Sequence, residues 1–347
     1  MSAVNILKFG TSSPADTSPL EELEKAGYSG SQILAVIGKT EGNGCVNDFS
    51  RTLAAAVWEP LIPKDAITIF SGGTEGVLSP HVTFIVREPE GVHTGLVAAV
   101  TRTREFEPHE IGTVIQGVEV AKETEAILKA PSSIFKELSL VLVKCPLLTT
   151  SKIEAITAQQ GQPITHDTYQ SMAFSRYASA VGIEAAHRGA AGDIPGRATA
   201  LESLSEEKSH IWSAHASCSS GAELEDCHIL ALGTSARLGE KIRAISSVMA
   251  DAIDARPVLD ALERIRREGG EVVQVFAKAE ADPKGAIRGM RHTMSTDSDI
   301  HGTRHARAAV GGLIAGLTGD TQIYVSGGAE GQGPPGGGSL CIVYRVP

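Results

Sequence analysis

The sequence predicts an α/β protein made of three homologous units around a pseudo-threefold axis, forming a barrel-like core with helices outside. Three recurrences carry this reading. A pentad of serine, small residue, glycine, small residue and glutamate stands at Ser71–Glu75, Ser219–Glu223 and Ser326–Glu330. A lysine closes an apolar, strand-like run at Lys39, Lys144 and Lys278. An arginine follows each lysine on a small-residue segment of helical spacing, at Arg51, at Arg176, and at Arg304 or Arg307, between which the recurrence does not choose.

Taken in order, each unit opens with a charged stretch whose apolar positions lie three and four apart, as an amphipathic helix requires: Leu20–Lys25, Val120–Leu128 and Val258–Ile265. The lysine strand follows, then the arginine helix. The pentad reads as a Ser-Gly turn, where glycine supplies positive φ. A second β-rich run closes the unit at Val82–Val86, Ile229–Leu232 and Cys341–Val346. The units span residues 1–103, 110–240 and 245–347. In the second unit Gly189–Gly196 reads as a loop insertion, and in the third Gly331–Gly338 reads as a Pro/Gly loop. Stacking three such units brings equivalent loops together at one place.

Composition bounds the function. With 347 residues, 42% of them hydrophobic, the chain can bury a large core. A net charge of −10 without a Lys/Arg stripe argues against nucleic acid, whose phosphates call for a clustered basic face. No apolar stretch approaches the ~20 residues that span a bilayer, and no secretory leader is evident, so a cytoplasmic protein without membrane contact is expected. Five scattered cysteines without a Cys-x-x-Cys pair signal neither disulfides nor a zinc knuckle.

The recurring groups suggest acyl chemistry. A serine hydroxyl attacks only when a base takes its proton, and a lysine is that base only when neutral. Three lysines and three arginines gathered in one pocket would lower each other's proton affinity, which burial lowers further. Glycines after each serine would offer backbone N–H groups to a developing oxyanion. Such a pocket suits a small, acidic, carbonyl-bearing substrate. Other motifs carry less. Gly331–Gly336 spells a dinucleotide fingerprint, but Pro334-Pro335 and the lack of a following helix contradict it. Ser205–Lys208 spells Ser-x-x-Lys within a charged stretch, Gly38-Lys39-Thr40 lacks the upstream glycine of a phosphate loop, and His301 and His305 lack the glutamate of a zinc protease.

Longer stretches, Lys39–Asp48, Ser71–His81, Lys144–Leu148 and Ser326–Pro334, resemble the cyanuric acid hydrolase and barbiturase family, closer to the cyanuric acid hydrolases, over essentially the whole chain. The resemblance implies a ring-opening amidohydrolase in which each of three repeats gives a Ser-Lys pair to one site. It implies Ser219 as nucleophile and Lys144 as its base. Ser71 with Lys39 and Ser326 with Lys278 would polarise the substrate's other carbonyls, while Arg51, Arg176, Arg304 or Arg307, Gly72, Ser220 and Gly327 would contact it. The residues alone do not choose among the three serines; the visible asymmetry is Ser220 where the other pentads have glycine. The resemblance further implies no organic cofactor, a structural Mg²⁺ or Ca²⁺ held by Glu280 with backbone oxygens around Ala329, Gln332, Gly333, Pro334 and Gly337, and a homotetramer. The expected reaction opens cyanuric acid to carboxybiuret, which loses CO₂ to give biuret. The alternatives are barbiturase activity or silent binding of a small acidic heterocycle.

Overall fold

Alternating apolar residues in the β-rich runs and three-four spacing between them produce a regular succession of strands and helices. The computed structural model describes residues 2–130, 135–189, 211–235 and 241–347. The first quarter contains β1 (Ser2–Gly10), α1 (Pro19–Lys25), β2 (Ile33–Thr40), α2 (Phe49–Trp58), β3 (Ile67–Gly72) and β4 (His81–Arg87). The middle contains β5 (Leu96–Arg102), α3 (Val114–Lys129), β6 (Phe135–Pro146), α4 (Thr150–Ala158), α5 (Thr168–His187), β7 (Ala216–Gly221) and β8 (His228–Ser235). The last part contains β9 (Ile242–Met249), α6 (Arg256–Arg267), β10 (Glu271–Ala279), the short hairpin β11 (Ala286–Ile287) and β12 (Met290–Arg291), α7 (Gly302–Thr318), β13 (Tyr324–Gly327) and β14 (Gly338–Arg345). Residues 190–196 of the expected insertion and the Ser205–Lys208 motif lie outside the described residues. No helix among the described residues is long and apolar enough to cross a membrane.

One strand order recurs: β3-β2-β4-β1, β7-β6-β8-β5 and β13-β10-β14-β9. The first two quartets join edge to edge through Ser2↔Ala98 and Ala3↔Val97 to make an eight-stranded sheet, and the third stands as a four-stranded sheet. The hydrogen bonding among the described residues therefore does not close into a barrel, contrary to the barrel-like expectation. The sheets meet through side chains instead. Val4, Ile6, Leu34, Ile37, Leu140, Leu142, Leu230, Leu232, Phe276, Tyr324 and Val343 form one buried cluster drawn from all three quartets.

Because strand side chains alternate between faces, the intervening residues point the other way and lie beneath helices. Val36 and Phe84 pack under Leu23 of α1 and Trp58 of α2; Val141 and Val143 pack with Val120, Ile153 and Ile183 of α3, α4 and α5; Val275 and Ile342 pack with Val258 of α6 and Val310 of α7.

The pentads are corrected in one respect. Each serine sits at the end of a strand rather than in a turn, because the residues before it (Ile67–Phe70, Ala216–Cys218, Tyr324–Val325) favour a buried strand. The turn comes later, where Gly73 and Gly328 adopt φ of 99° and 76°. Sequence reasoning also missed the opening strand of each quartet, β1, β5 and β9; in β1 and β9 mixed polar residues blur the alternation.

Packing is tight where β14 begins. A Cβ on Gly337 would lie 2.0 Å from the Met249 carbonyl oxygen of β9. Gly337→Ala is therefore expected to lower stability by about 2 kcal/mol or more, since a strand backbone has to move, and thermal unfolding measures this directly.

Candidate active site

The alternation that builds the shared core also places the functional groups. Lys39 and Lys144 follow Ile37 and Leu142 on the inner face, and Lys278 follows Phe276 in the same way. Ser71 and Ser326 likewise extend the rows of Ile69 and Tyr324. The parallel registers then put each lysine opposite its serine: Lys39↔Ser71, Lys144↔Ser219 and Lys278↔Ser326. All three lysines are 1% exposed and the serines 2–6%.

The three rows end in one cavity, lined by Gly44, Arg51, Ser71, Gly72, Met172, Arg176, Ser219, Ser220, Arg307, Ser326 and Gly327. A larger, more open hollow, lined by Glu184, His187, Arg188, Trp212 and His215, gathers none of the recurring residues. Helices α2, α5 and α7 each deliver one buried arginine: Arg51, Arg176 and Arg307. Arg307 lines the cavity, whereas Arg304 is 35% exposed and reaches Glu75 from outside at 3.2 Å.

Each arginine is held by the glutamate of another quartet. Arg307 grips Glu75 with Nε and Nη2 at 2.7 and 2.5 Å, and Arg176 grips Glu330 with the same two nitrogens at 2.8 Å each. The remaining link is loose: Arg51 Nε lies 3.9 Å from Glu223 and also 3.9 Å from Asp48. The other Arg51 nitrogens bond the Ser220 and Cys45 carbonyls at 2.9 and 2.6 Å. Ser220 also receives Arg176 Nη1 at its hydroxyl, at 3.3 Å.

The dyads differ. Lys39 Nζ donates to Ser71 Oγ at 3.5 Å and to the Gly72 carbonyl at 3.1 Å. Lys278 Nζ donates to Ser326 Oγ at 3.1 Å, and to the Gly327 and Cys218 carbonyls at 3.3 and 2.8 Å. Lys144 Nζ instead lies 2.9 Å from Glu223 Oε1, an ion pair without hydrogen-bond alignment, and Ser219 Oγ is buried with no hydrogen bond of normal geometry.

Burial controls the charge of these groups. It drives Lys39 well below the ordinary lysine range, helped by Arg307. It brings Lys278 to about 7, with Arg176 adding repulsion. Lys144 settles at about 8: burial pulls it down, Glu223 raises it and Arg51 lowers it again. Burial alone would raise Glu223, but Lys144 and Arg51 more than reverse that. Burial pushes the Cys145 and Cys218 thiols up, so neither is a thiolate nucleophile.

The expectation of glycine N–H donors meets a limit here. The amides of Gly73 and Gly328 are already bonded to the Thr40 and Ala279 carbonyls at 2.9 Å. Residues not anticipated as site members also matter. The closing glutamates and Asp48 set the arginines, and Tyr324, in the row of Ser326, is fully buried with burial pushing its hydroxyl up to about 12. The Gln332 side chain accepts the Cys218 N–H at 2.5 Å and so fixes β7 one residue before Ser219. The glutamates had a sequence signal, being the last letter of every pentad.

Glu280 lies apart from the cavity, partly buried beside the Gly/Pro loop. Its Oε2 accepts the Gly336 N–H at 2.9 Å, and burial with nearby Glu330 pushes its carboxyl up to about 8. In the same loop the Ala329, Gln332 and Pro334 carbonyls each accept one backbone hydrogen bond, which leaves a lone pair on each.

A cavity lined by three serines, each opposite a buried lysine, with buried guanidinium groups around it, offers hydroxyl and cationic donors to a small molecule. The chain matches the family model of ring-opening amidohydrolases over residues 5–345. It belongs to that family and is a hydrolase of cyclic amide C–N bonds. A cyanuric acid amidohydrolase from Sarocladium sp is 62% identical over 346 residues, 100% of this chain and 99% of the relative. One from Pseudonocardia dioxanivorans is 54% identical over 100% of this chain and 99% of its own length. A solved cyanuric acid hydrolase, described as an evolutionary innovation by structural concatenation, superposes with a TM-score of 0.90 at 41% identity, covering 100% of both chains. The cyanuric acid hydrolase from A. caulinodans gives 0.89 at 38% identity, covering 100% of this chain and 99% of its own.

Proposed function

We propose that this chain hydrolyses cyanuric acid, with Ser219 as nucleophile and Lys144 as general base. The observation that carries the reading is the convergence of Ser71, Ser219 and Ser326 with Arg51, Arg176 and Arg307 on one cavity. A triazine ring with three equivalent carbonyls matches three equivalent sets of donors, which supports units related by a pseudo-threefold axis. The recurring strand order supports unit boundaries between β4 and β5 and between β8 and β9, which moves β5 from the first unit of 1–103 into the second.

In the reaction Lys144, neutral, takes the Ser219 proton as Oγ attacks a ring carbonyl. The tetrahedral intermediate collapses with cleavage of the ring C–N bond, and Lys144 returns the proton to the leaving nitrogen. Water, activated by the same amine, then cleaves the acyl-serine ester to give carboxybiuret, which loses CO₂ to leave biuret. Ser71 and Ser326, backed by Lys39 and Lys278, donate to the other two carbonyls, and the arginines balance the charge that accumulates on the ring. Side-by-side rates with cyanuric and barbituric acid test the substrate. Faster turnover of barbituric acid would make the chain a barbiturase, and binding without consumption of either would make it a silent binder.

Glu280 and the loop from Ala329 to Gly337 fit a structural Mg²⁺ or Ca²⁺. A partly buried carboxylate with no ion-pair partner within 4 Å among the described residues, beside carbonyls with spare lone pairs, is a hard-cation donor set. Among the described residues no three His, Cys, Asp or Glu side chains converge, so backbone oxygens would supply most ligands. The cation would neutralise Glu280 and stiffen the loop that carries Gln332. Chelation is expected to lower the melting temperature by several degrees, with the metal identified by elemental analysis; an unchanged melt in metal-free protein argues against the site. A homotetramer follows from the same family reading and is checked by light scattering.

A further inference from the structure

Two of the three arginine–glutamate links are closed by paired hydrogen bonds, and the link that reaches the second pentad is open. The cause is local. Asp48 caps α2 by accepting the Ser50 N–H at 3.0 Å, and it stands one turn before Arg51 on the same helix. The matching positions before Arg176 and Arg307 are Ala173 and Arg304, so neither of those arginines has a competing carboxylate there. Arg51 is thereby shared between Asp48 and Glu223 at 3.9 Å each.

Glu223 is left with one close partner, the Lys144 amine at 2.9 Å. Both its oxygens, Lys144 Nζ, Arg51 Nε and Ser219 Oγ are buried atoms without aligned hydrogen bonds. Lys39 and Lys278, by contrast, are tied to their own serines and to carbonyls. The three dyads therefore share residue types and differ in what holds the lysine.

We infer that Glu223, freed from its arginine by Asp48, is the positioning residue that makes Lys144–Ser219 the working pair: it aims the Lys144 amine and sets the pH at which that amine sheds its proton. The inference rests on the proposed role of Ser219. The charged and titratable groups facing Lys144 are Glu223, Arg51 and Cys145, and those facing Glu223 are Lys144 and Arg51, with Asp48 behind the arginine.

The sign follows from charge. Glu223 favours the ammonium form of Lys144, so removing its charge moves the deprotonation to lower pH. The test is the pH dependence of kcat for cyanuric acid in the full-length protein. Glu223→Gln is expected to shift the acid limb down by about one pH unit or more and to leave KM within about threefold. Glu223→Asp keeps the charge, so its limb stays near the wild-type position while kcat falls. Asp48→Asn, which releases Arg51 to pair with Glu223, shifts the limb in the same direction as Glu223→Gln and serves if that variant does not fold. Glu75→Gln, acting through Arg307, raises KM and leaves the limb in place.

An acid limb that stays at the wild-type pH in Glu223→Gln, or in Asp48→Asn if the first is insoluble, overturns the inference. If Ser219→Ala keeps its turnover, the nucleophile assignment itself falls. An inactive Ser219→Ala together with an unmoved Glu223→Gln limb removes the role of Glu223 alone.

Discussion

Ser219→Ala is expected to reduce kcat for cyanuric acid by at least about 10⁴-fold, because it removes the hydroxyl proposed to form the ester that divides the reaction into two steps. Ser71→Ala and Ser326→Ala each remove one donor to a carbonyl and should cost less, about 10²–10³-fold. Three serines on equivalent strand ends make this a sharp comparison. Of the three, Ser219 Oγ has no aligned hydrogen-bond partner, while Ser71 and Ser326 already receive hydrogen bonds from their lysines. Rapid quenching followed by peptide mass analysis should find the acyl adduct on the Ser219 peptide. An adduct on the Ser71 or Ser326 peptide would move the nucleophile to that unit. The wild-type profile carries the matching expectation: below about pH 8, kcat falls tenfold per unit as Lys144 takes up a proton.

The site's legibility in the sequence follows from what repetition reveals and what it hides. Lys39, Lys144 and Lys278 were readable because each closes an apolar run and recurs in the same order with an arginine and a serine; a lysine at a strand's end is ordinarily a surface residue, so their burial came only with the fold. The serines were readable as a set, but their strand was masked by the glycines that follow them. The opening strands β1, β5 and β9 were not readable, since β1 mixes Asn5 and Lys8 into its alternation and β9 mixes in Ser246 and Ser247. Closure of the sheets was also out of reach, because edge pairing such as Ser2↔Ala98 involves no motif.

Partnerships across quartets were hidden for a different reason. Arg307 and Glu75 are 232 residues apart, and no local periodicity relates them. The asymmetry between dyads therefore could not be read from the pentads, although its cause, Asp48, lies in plain view three residues before Arg51. Ser220, the asymmetry the sequence does display, contacts Arg51 and Arg176 rather than Lys144.

Arg307 and Arg304 separate the two readings that helical spacing left equal. Arg307→Ala is expected to lower kcat/KM for cyanuric acid by about 10³-fold or more and to lower the melting temperature as well. It removes a cation from the cavity and takes from Glu75, which is 10% exposed, its paired hydrogen bonds; Arg304 at 3.2 Å stays as a partner, so the loss is expected to be smaller than the about 3–5 kcal/mol of a fully uncompensated buried carboxylate. Arg304→Ala should change kcat/KM by less than about threefold, since a pair this exposed contributes at most about 1 kcal/mol. The double substitution with Glu75→Gln sharpens the argument. If Arg307 serves mainly to neutralise Glu75, the second change restores stability and activity together. If Arg307 acts on the substrate, stability returns while kcat/KM stays low, and its position on the cavity wall beside Gly72 and Gly327 favours that second outcome.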